Sequence, residues 1–129
     1  MPVSKLHVPA DLPATICRAM AEALHESLVA TCAVHPDDNT CLITRYAPED
    51  RIIHPSFLGQ RDPGQTVIVE IILRSGRTDA QKEALYTDFR QRLGEIGFDP
   101  RNSIMGLVEN ESIDWSFGPE GSVKTVLGL

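Results

Sequence analysis

Loss of the initiator Met1 would leave Pro2 with a free secondary amine, the one setting in which a proline acts as acid, base or nucleophile. Ordinary α-amino groups titrate at about 7.7 to 8.0, so such an amine changes charge close to neutral pH. Three further segments suit the same chemistry. Asp37 and Asp38, in the turn His35-Pro36-Asp37-Asp38-Asn39, offer carboxylates that orient a proton or a water. Arg74 and Arg77 offer planar forks that bind a carboxylate through parallel hydrogen bonds. Trp115 and Phe117 offer apolar walls, which lower the effective dielectric around any charge they enclose. Each set also has a plain structural use. The arginines suit ion pairs with Glu70 or Asp79, the aspartates suit a turn, and the two aromatics suit core anchors.

The elements that would position these residues fall into two similar halves. Val3 to Val8 reads as a strand, and Asp11 opens a helix in which Ile16, Met20, Leu24 and Leu28 recur at four-residue spacing. Pro13 fits its first turn, the pattern fades near Val34, and a strand follows from about Thr40 to Tyr46. The second half repeats the order. Val67 to Arg74 is β-branched, and Thr78-Asp79-Ala80-Gln81 matches a capping box. A helix with Leu85, Phe89, Leu93 and Ile96 on its buried stripe stops at Gly97, and Ser103 to Glu109 forms the last strand. The half-repeats span about 2–46 and 67–110 of a single domain, with a connecting loop at 47–66 and a C-terminal tail at 111–129. Ile52, Ile53, Phe57 and Leu58 predict that the loop is packed, with a helical turn, rather than free.

Composition narrows the function. With 129 residues, 42% hydrophobic and 23% charged, the chain can bury one real core. A net charge of -6 argues against a nucleic-acid surface, which would show a basic stripe. No apolar run reaches the roughly 20 residues of a membrane span and no secretory layout opens the chain, so a cytoplasmic location is expected, with no membrane partner. Cys17, Cys32 and Cys41 are odd in number and lack CxxC spacing, and the four histidines lack the one-turn pairing of a helical metal site. Buried thiols, no metal and no cofactor are expected.

A strand-helix-strand crossover returns its second strand parallel to the first, so the Asp37-Asp38 turn lies at the Pro2 end of the sheet. If a pseudo-twofold sets the first strands of the halves antiparallel, Arg74 arrives beside Pro2, and the exit of the fourth strand brings Trp115 and Phe117 to the same mouth. A titratable amine, carboxylates, guanidinium groups and aromatic walls would then share one pocket suited to an anionic substrate.

The ordered set of Met1-Pro2 before a strand, Pro36-Asp37-Asp38, Pro55-Ser56-Phe57-Leu58-Gly59, Arg74-Ser75-Gly76-Arg77-Thr78 with Gln81-Lys82, and Trp115-Ser116-Phe117-Gly118 resembles the tautomerase superfamily, and within it the malonate semialdehyde decarboxylase-like family. The resemblance spans nearly the whole chain. It implies an α/β (α+β sandwich) fold of tandem βαβ units with pseudo-twofold symmetry, helices on one face of a four-stranded mixed sheet, and assembly as a homotrimer. It also implies catalysis by Pro2 with Asp38, Arg74 and Arg77, and substrate binding by Asp37, Trp115 and Phe117. Gly76 leaves the alignment of Arg77 open by a residue.

The expected reaction is decarboxylation of a small carboxylated oxo acid, a short 3-oxo acid, by a lyase using the Pro2 amine. Two alternatives stand beside it. One is a cofactor-independent keto-enol tautomerase or hydratase of 2-oxo or unsaturated acids, and the other a non-catalytic trimeric carboxylate-binding protein. The charge on Pro2 separates the chemical modes: Asp38 favours the cation, whereas desolvation and the arginines favour the neutral amine.

Overall fold

The computed structural model describes residues 1–129, which form β1 (Pro2–Pro9), α1 (Ala14–Cys32), β2 (Cys41–Tyr46), β3 (Val67–Arg74), α2 (Asp79–Glu95), β4 (Ser103–Asn110) and a short α3 (Val123–Leu127). Single 3-10 turns lie at Pro48–Asp50, Pro100–Asn102 and Ser112–Asp114. The sheet order is β2-β1-β3-β4, with β1 parallel to β2, β3 parallel to β4, and the central β1-β3 pair antiparallel. Two βαβ units therefore meet as the pseudo-twofold requires. Their register pairs Pro2 with Leu73, so the start of the chain and the exit of β3 sit side by side.

Period-two alternation decides which face is covered. Leu6 and Val8 of β1, with Val67, Val69, Ile71 and Leu73 of β3, are buried on one side. Met20, Leu24 and Leu28 of α1 and Leu85, Phe89 and Leu93 of α2 pack onto them in one cluster. Each such aliphatic or aromatic side chain contributes about 2 kcal/mol of transfer free energy. The helices are also tied to each other: the Ser27 hydroxyl and Arg92 Nε both donate to Asp88 Oδ2 at 2.7 Å, and Arg92 Nη1 donates to Glu26 at 2.6 Å. The hydrogen bond from Arg92, helped by that from Ser27, holds the Asp88 carboxyl below its ordinary range.

No helix covers the other face. Leu42, Ile104 and Val108 are exposed on it, around a polar cluster in which His7 bonds Tyr46 at 2.6 Å and Glu70 at 3.2 Å. Glu70 thus pairs with His7 rather than with Arg74.

Local chemistry sets the helix ends. Thr78 and Gln81 make both halves of the capping box that launches α2, and Gly97, at φ 82°, lies just past its end. α1 stops differently. Its C-cap is Ala33 at φ 55°, a left-handed conformation that costs a non-glycine residue roughly 1–2 kcal/mol. No helix is long and apolar enough to cross a membrane.

The connecting segment corrects one expectation. It contains the helical turn, at Pro48–Asp50, but Ile52 is 100% exposed, Leu58 is 87% exposed and Phe57 is also turned outward. An irregular segment must first satisfy its backbone groups. Here arginines and an asparagine do so: Arg51 donates to the carbonyls of Pro63 and Thr66, Arg61 to that of His54, and Asn102 Oδ1 accepts from the Asp62 N–H. Polar anchoring on the inside leaves Ile52, Phe57 and Leu58 facing out, while Ile53 stays half-buried.

Candidate active site

The N-terminus, the turn after α1, the exit of β3 and the C-terminal segment enclose a cavity of about 500 Å³. Met1, Asp38, Arg74, Arg77 and Phe117 all line it. With Met1 in place the terminal ammonium is that of Met1, and it pairs with the Asp38 carboxylate. Removal of Met1 transfers the terminal amine to Pro2, one residue along, where consecutive Cα atoms are about 3.8 Å apart. Pro2 itself is buried behind Met1, outside the cavity lining, and borders a small gap together with the segment from Asp38 to Cys41. Burial pushes the neighbouring Cys41 thiol up, so it stays protonated near neutral pH.

Adjacent aspartates have opposite fates. The turn is closed by the Asp38 N–H donating to His35 O at 2.9 Å, with the Asp37 N–H on His35 Nδ1 at 3.1 Å and His25 Nε2 reaching Pro36 O at 2.8 Å. This geometry turns Asp38 inward, its side chain 23% exposed, and sends Asp37 into solvent at 94%. Asp37 lies outside the cavity lining.

The two arginines are held in unlike ways. Arg74 ends β3, and its one protein partner is the Ser112 hydroxyl at 3.4 Å. Gly76 at φ 121° then reverses the chain, so that Arg77 points back at the same cavity. Arg77 donates through Nε to Cys32 O and through Nη1 to Arg74 O, both at 3.0 Å. It thereby satisfies a carbonyl left orphaned at the end of α1. Neither arginine forms the ion pair with Glu70 or Asp79 that a purely structural role suggests. Arg74 is the freer donor.

Asn110, the last residue of β4, accepts from Trp115 Nε1 at 2.5 Å and so fixes the indole, which is nearly buried. Phe117 stacks on it, with ring centroids 6.0 Å apart and planes 13° apart, and presents its ring to the cavity. Trp115 is thus the backing of the wall and Phe117 its surface. Beyond them the Ser116 hydroxyl donates, in a shared hydrogen bond, to Gly118 O and Gly121 O, and Val123, Val126 and Leu127 of α3 line the same cavity.

Several lining residues carried no motif: Ala33 and Val34 after α1, and Glu120, Val123, Val126 and Leu127 near the end. The apolar spacing of the last three, after Gly118 and Gly121, is the signal that could have found them.

Comparison with known proteins identifies the family and the fold. The family described as "Tautomerase enzyme" matches residues 38–118. "Probable tautomerase YusQ" of Bacillus subtilis (strain 168) is 25% identical over 119 residues, 92% of this chain and 94% of its own. The crystal structure of FG41 malonate semialdehyde decarboxylase inhibited by 3-bromopropiolate is 31% identical, with TM-score 0.87, covering 98% of this chain and 95% of its own. A wild-type fused 4-OT, a symmetric trimer, shares the fold at TM-score 0.76 and 19% identity, covering 94% of this chain and 95% of its own. A family match across more than half of the sequence, joined to that decarboxylase relative, shows that this chain belongs to the tautomerase superfamily of enzymes, related to malonate semialdehyde decarboxylase.

Proposed function

We propose that the chain is a lyase that decarboxylates a short 3-oxo acid with the amine of Pro2, Met1 having been removed. The observation that carries this reading is the meeting of the terminal ammonium, Asp38, Arg74 and Arg77 on one cavity. Arg74, with the remaining N–H donors of Arg77, binds the substrate carboxylate. The Pro2 ammonium, held in that charge state by Asp38, hydrogen-bonds the β-carbonyl oxygen. The bond from the carboxylate carbon to the α-carbon breaks, its electron pair passes into the carbonyl to form an enolate, and carbon dioxide leaves. A proton, ultimately from water, is then added to the α-carbon. The β-carbonyl accepts the electrons, so no cofactor is needed. Phe117, backed by Trp115, keeps the charges in a poorly polarisable setting that strengthens them.

Two observations support assembly as a homotrimer: the uncovered sheet face carrying Leu42, Ile104 and Val108, and the symmetric trimer formed by a protein of the same fold. A relative named a probable tautomerase supports a second reading, in which neutral Pro2 shuttles a proton between carbon and oxygen of a 2-oxo acid. The test is turnover of malonate semialdehyde by protein whose intact mass proves a free Pro2, beside Pro2→Ala. Release of carbon dioxide and acetaldehyde, lost in the variant and falling at high pH as the amine deprotonates, is the expected result. Ketonisation of phenylpyruvate without gas release favours the second reading. Parent-like decarboxylation by Pro2→Ala overturns the role of the amine.

A further inference from the structure

A three-carbon acid leaves most of the cavity unfilled, and the unfilled side is apolar. Malonate semialdehyde has as many non-hydrogen atoms as benzene, and a dry cavity of about 150 Å³ is enough for benzene. The cavity here is about 500 Å³. The surplus is not lined by more charge. Val34 beyond α1, Phe117, and Val123, Val126 and Leu127 of the C-terminal segment supply apolar surface to the same space that holds the arginines. Val126 and Leu127 are 53% and 63% exposed, so their apolar surface stays uncovered by this chain.

The charges limit how many anionic groups fit. Arg74, Arg77 and the terminal ammonium face Asp38 and Glu120, which leaves one positive charge with His35 counted as neutral. Glu120 forms no ion pair with either arginine. One carboxylate neutralises this cavity, and a second would meet Glu120 without a cation of its own.

We infer that the site is built for an oxo monocarboxylate carrying an apolar tail of several carbons, its head on Arg74 and Arg77 and its tail against α3. This rests on the proposed carboxylate site and extends it to the substrate class. Burying a methylene is worth about 0.8 kcal/mol, which is roughly a fourfold change in affinity, and a cavity open to solvent realises about two- to fourfold.

The experiment is calorimetric titration of the mass-verified protein, in its native assembly, with acetate, butanoate, hexanoate and octanoate, and with octanedioate as the dianion. Affinity is expected to rise about two- to fourfold per methylene through the series, with octanedioate at least tenfold weaker than octanoate. Val126→Asp is expected to flatten the dependence on chain length. Equal affinities across the series, octanedioate binding as tightly as octanoate, or an unchanged slope in Val126→Asp each overturn the tail assignment while leaving the carboxylate site standing. Failure of every carboxylate to bind removes that site and the inference with it.

Discussion

Arg74→Ala and Arg77→Ala should fail in different ways, because the two guanidinium groups are anchored differently. Arg74 has one long contact, to the Ser112 hydroxyl at 3.4 Å, which is worth little. Its truncation should change stability by less than about 0.5 kcal/mol. In the proposed site, however, it is the freer partner of the substrate carboxylate, and losing a charge-assisted pair costs about 3 kcal/mol, or roughly 150-fold in kcat/KM. Arg77 makes two 3.0 Å hydrogen bonds to carbonyls, one of them at the end of α1. Removing both should cost about 2 kcal/mol, roughly 8 °C in Tm for a chain of this size, in addition to weakened substrate binding. The assays are thermal unfolding at fixed protein concentration and steady-state turnover of malonate semialdehyde. Unchanged kcat/KM in Arg74→Ala, or an unchanged Tm in Arg77→Ala, would refute the division of labour.

The folded Asp88 carboxyl lies below its unfolded value of about 3.9, so its stabilisation is present above that pH and fades as pH falls through the folded value. Asp88→Asn should therefore flatten the acid side of the stability profile by about 0.5–1 kcal/mol, solvent screening included, as read by urea melts between about pH 5 and pH 2. Gly76→Ala should destabilise by about 1–2 kcal/mol although a Cβ there meets nothing within 4 Å, since the penalty is the φ of 121° alone; a chemical melt checks it. Trp115→Phe removes the donor to Asn110 and should lower stability by about 1–2 kcal/mol while loosening Phe117, seen as a raised KM.

The elements were legible because local and long-range signals coincided. Four-residue spacing in α1, the Thr78-Gln81 capping box and the β-branched run of β3 each had one good interpretation, and the crossover rule then fixed which ends meet. The opposite orientations of Asp37 and Asp38 were not legible, since identical neighbours in a turn are separated only by backbone direction. Nor was the outward turn of Ile52, Phe57 and Leu58, where hydrophobicity suggested burial but the backbone bonds of Arg51 and Arg61 determined the fold of the loop. The C-terminal wall lacked a motif, and its one signal, the apolar spacing of Val123, Val126 and Leu127, spans a helix of only five residues and so did not stand out.

Ala33 gives the end of α1 an unusual property. Its left-handed backbone strain, roughly 1 kcal/mol, is relieved whenever the last turn of the helix opens, so that turn should open about fivefold more often than with glycine in its place. Ala33 and Val34 also form part of the cavity wall, and the Val34 N–H is bonded only loosely, to Leu28 O at 3.4 Å. Fraying of a strained helix end thus becomes breathing of the binding chamber, visible as fast amide exchange confined to that turn and slowed when a ligand fills the space beside it.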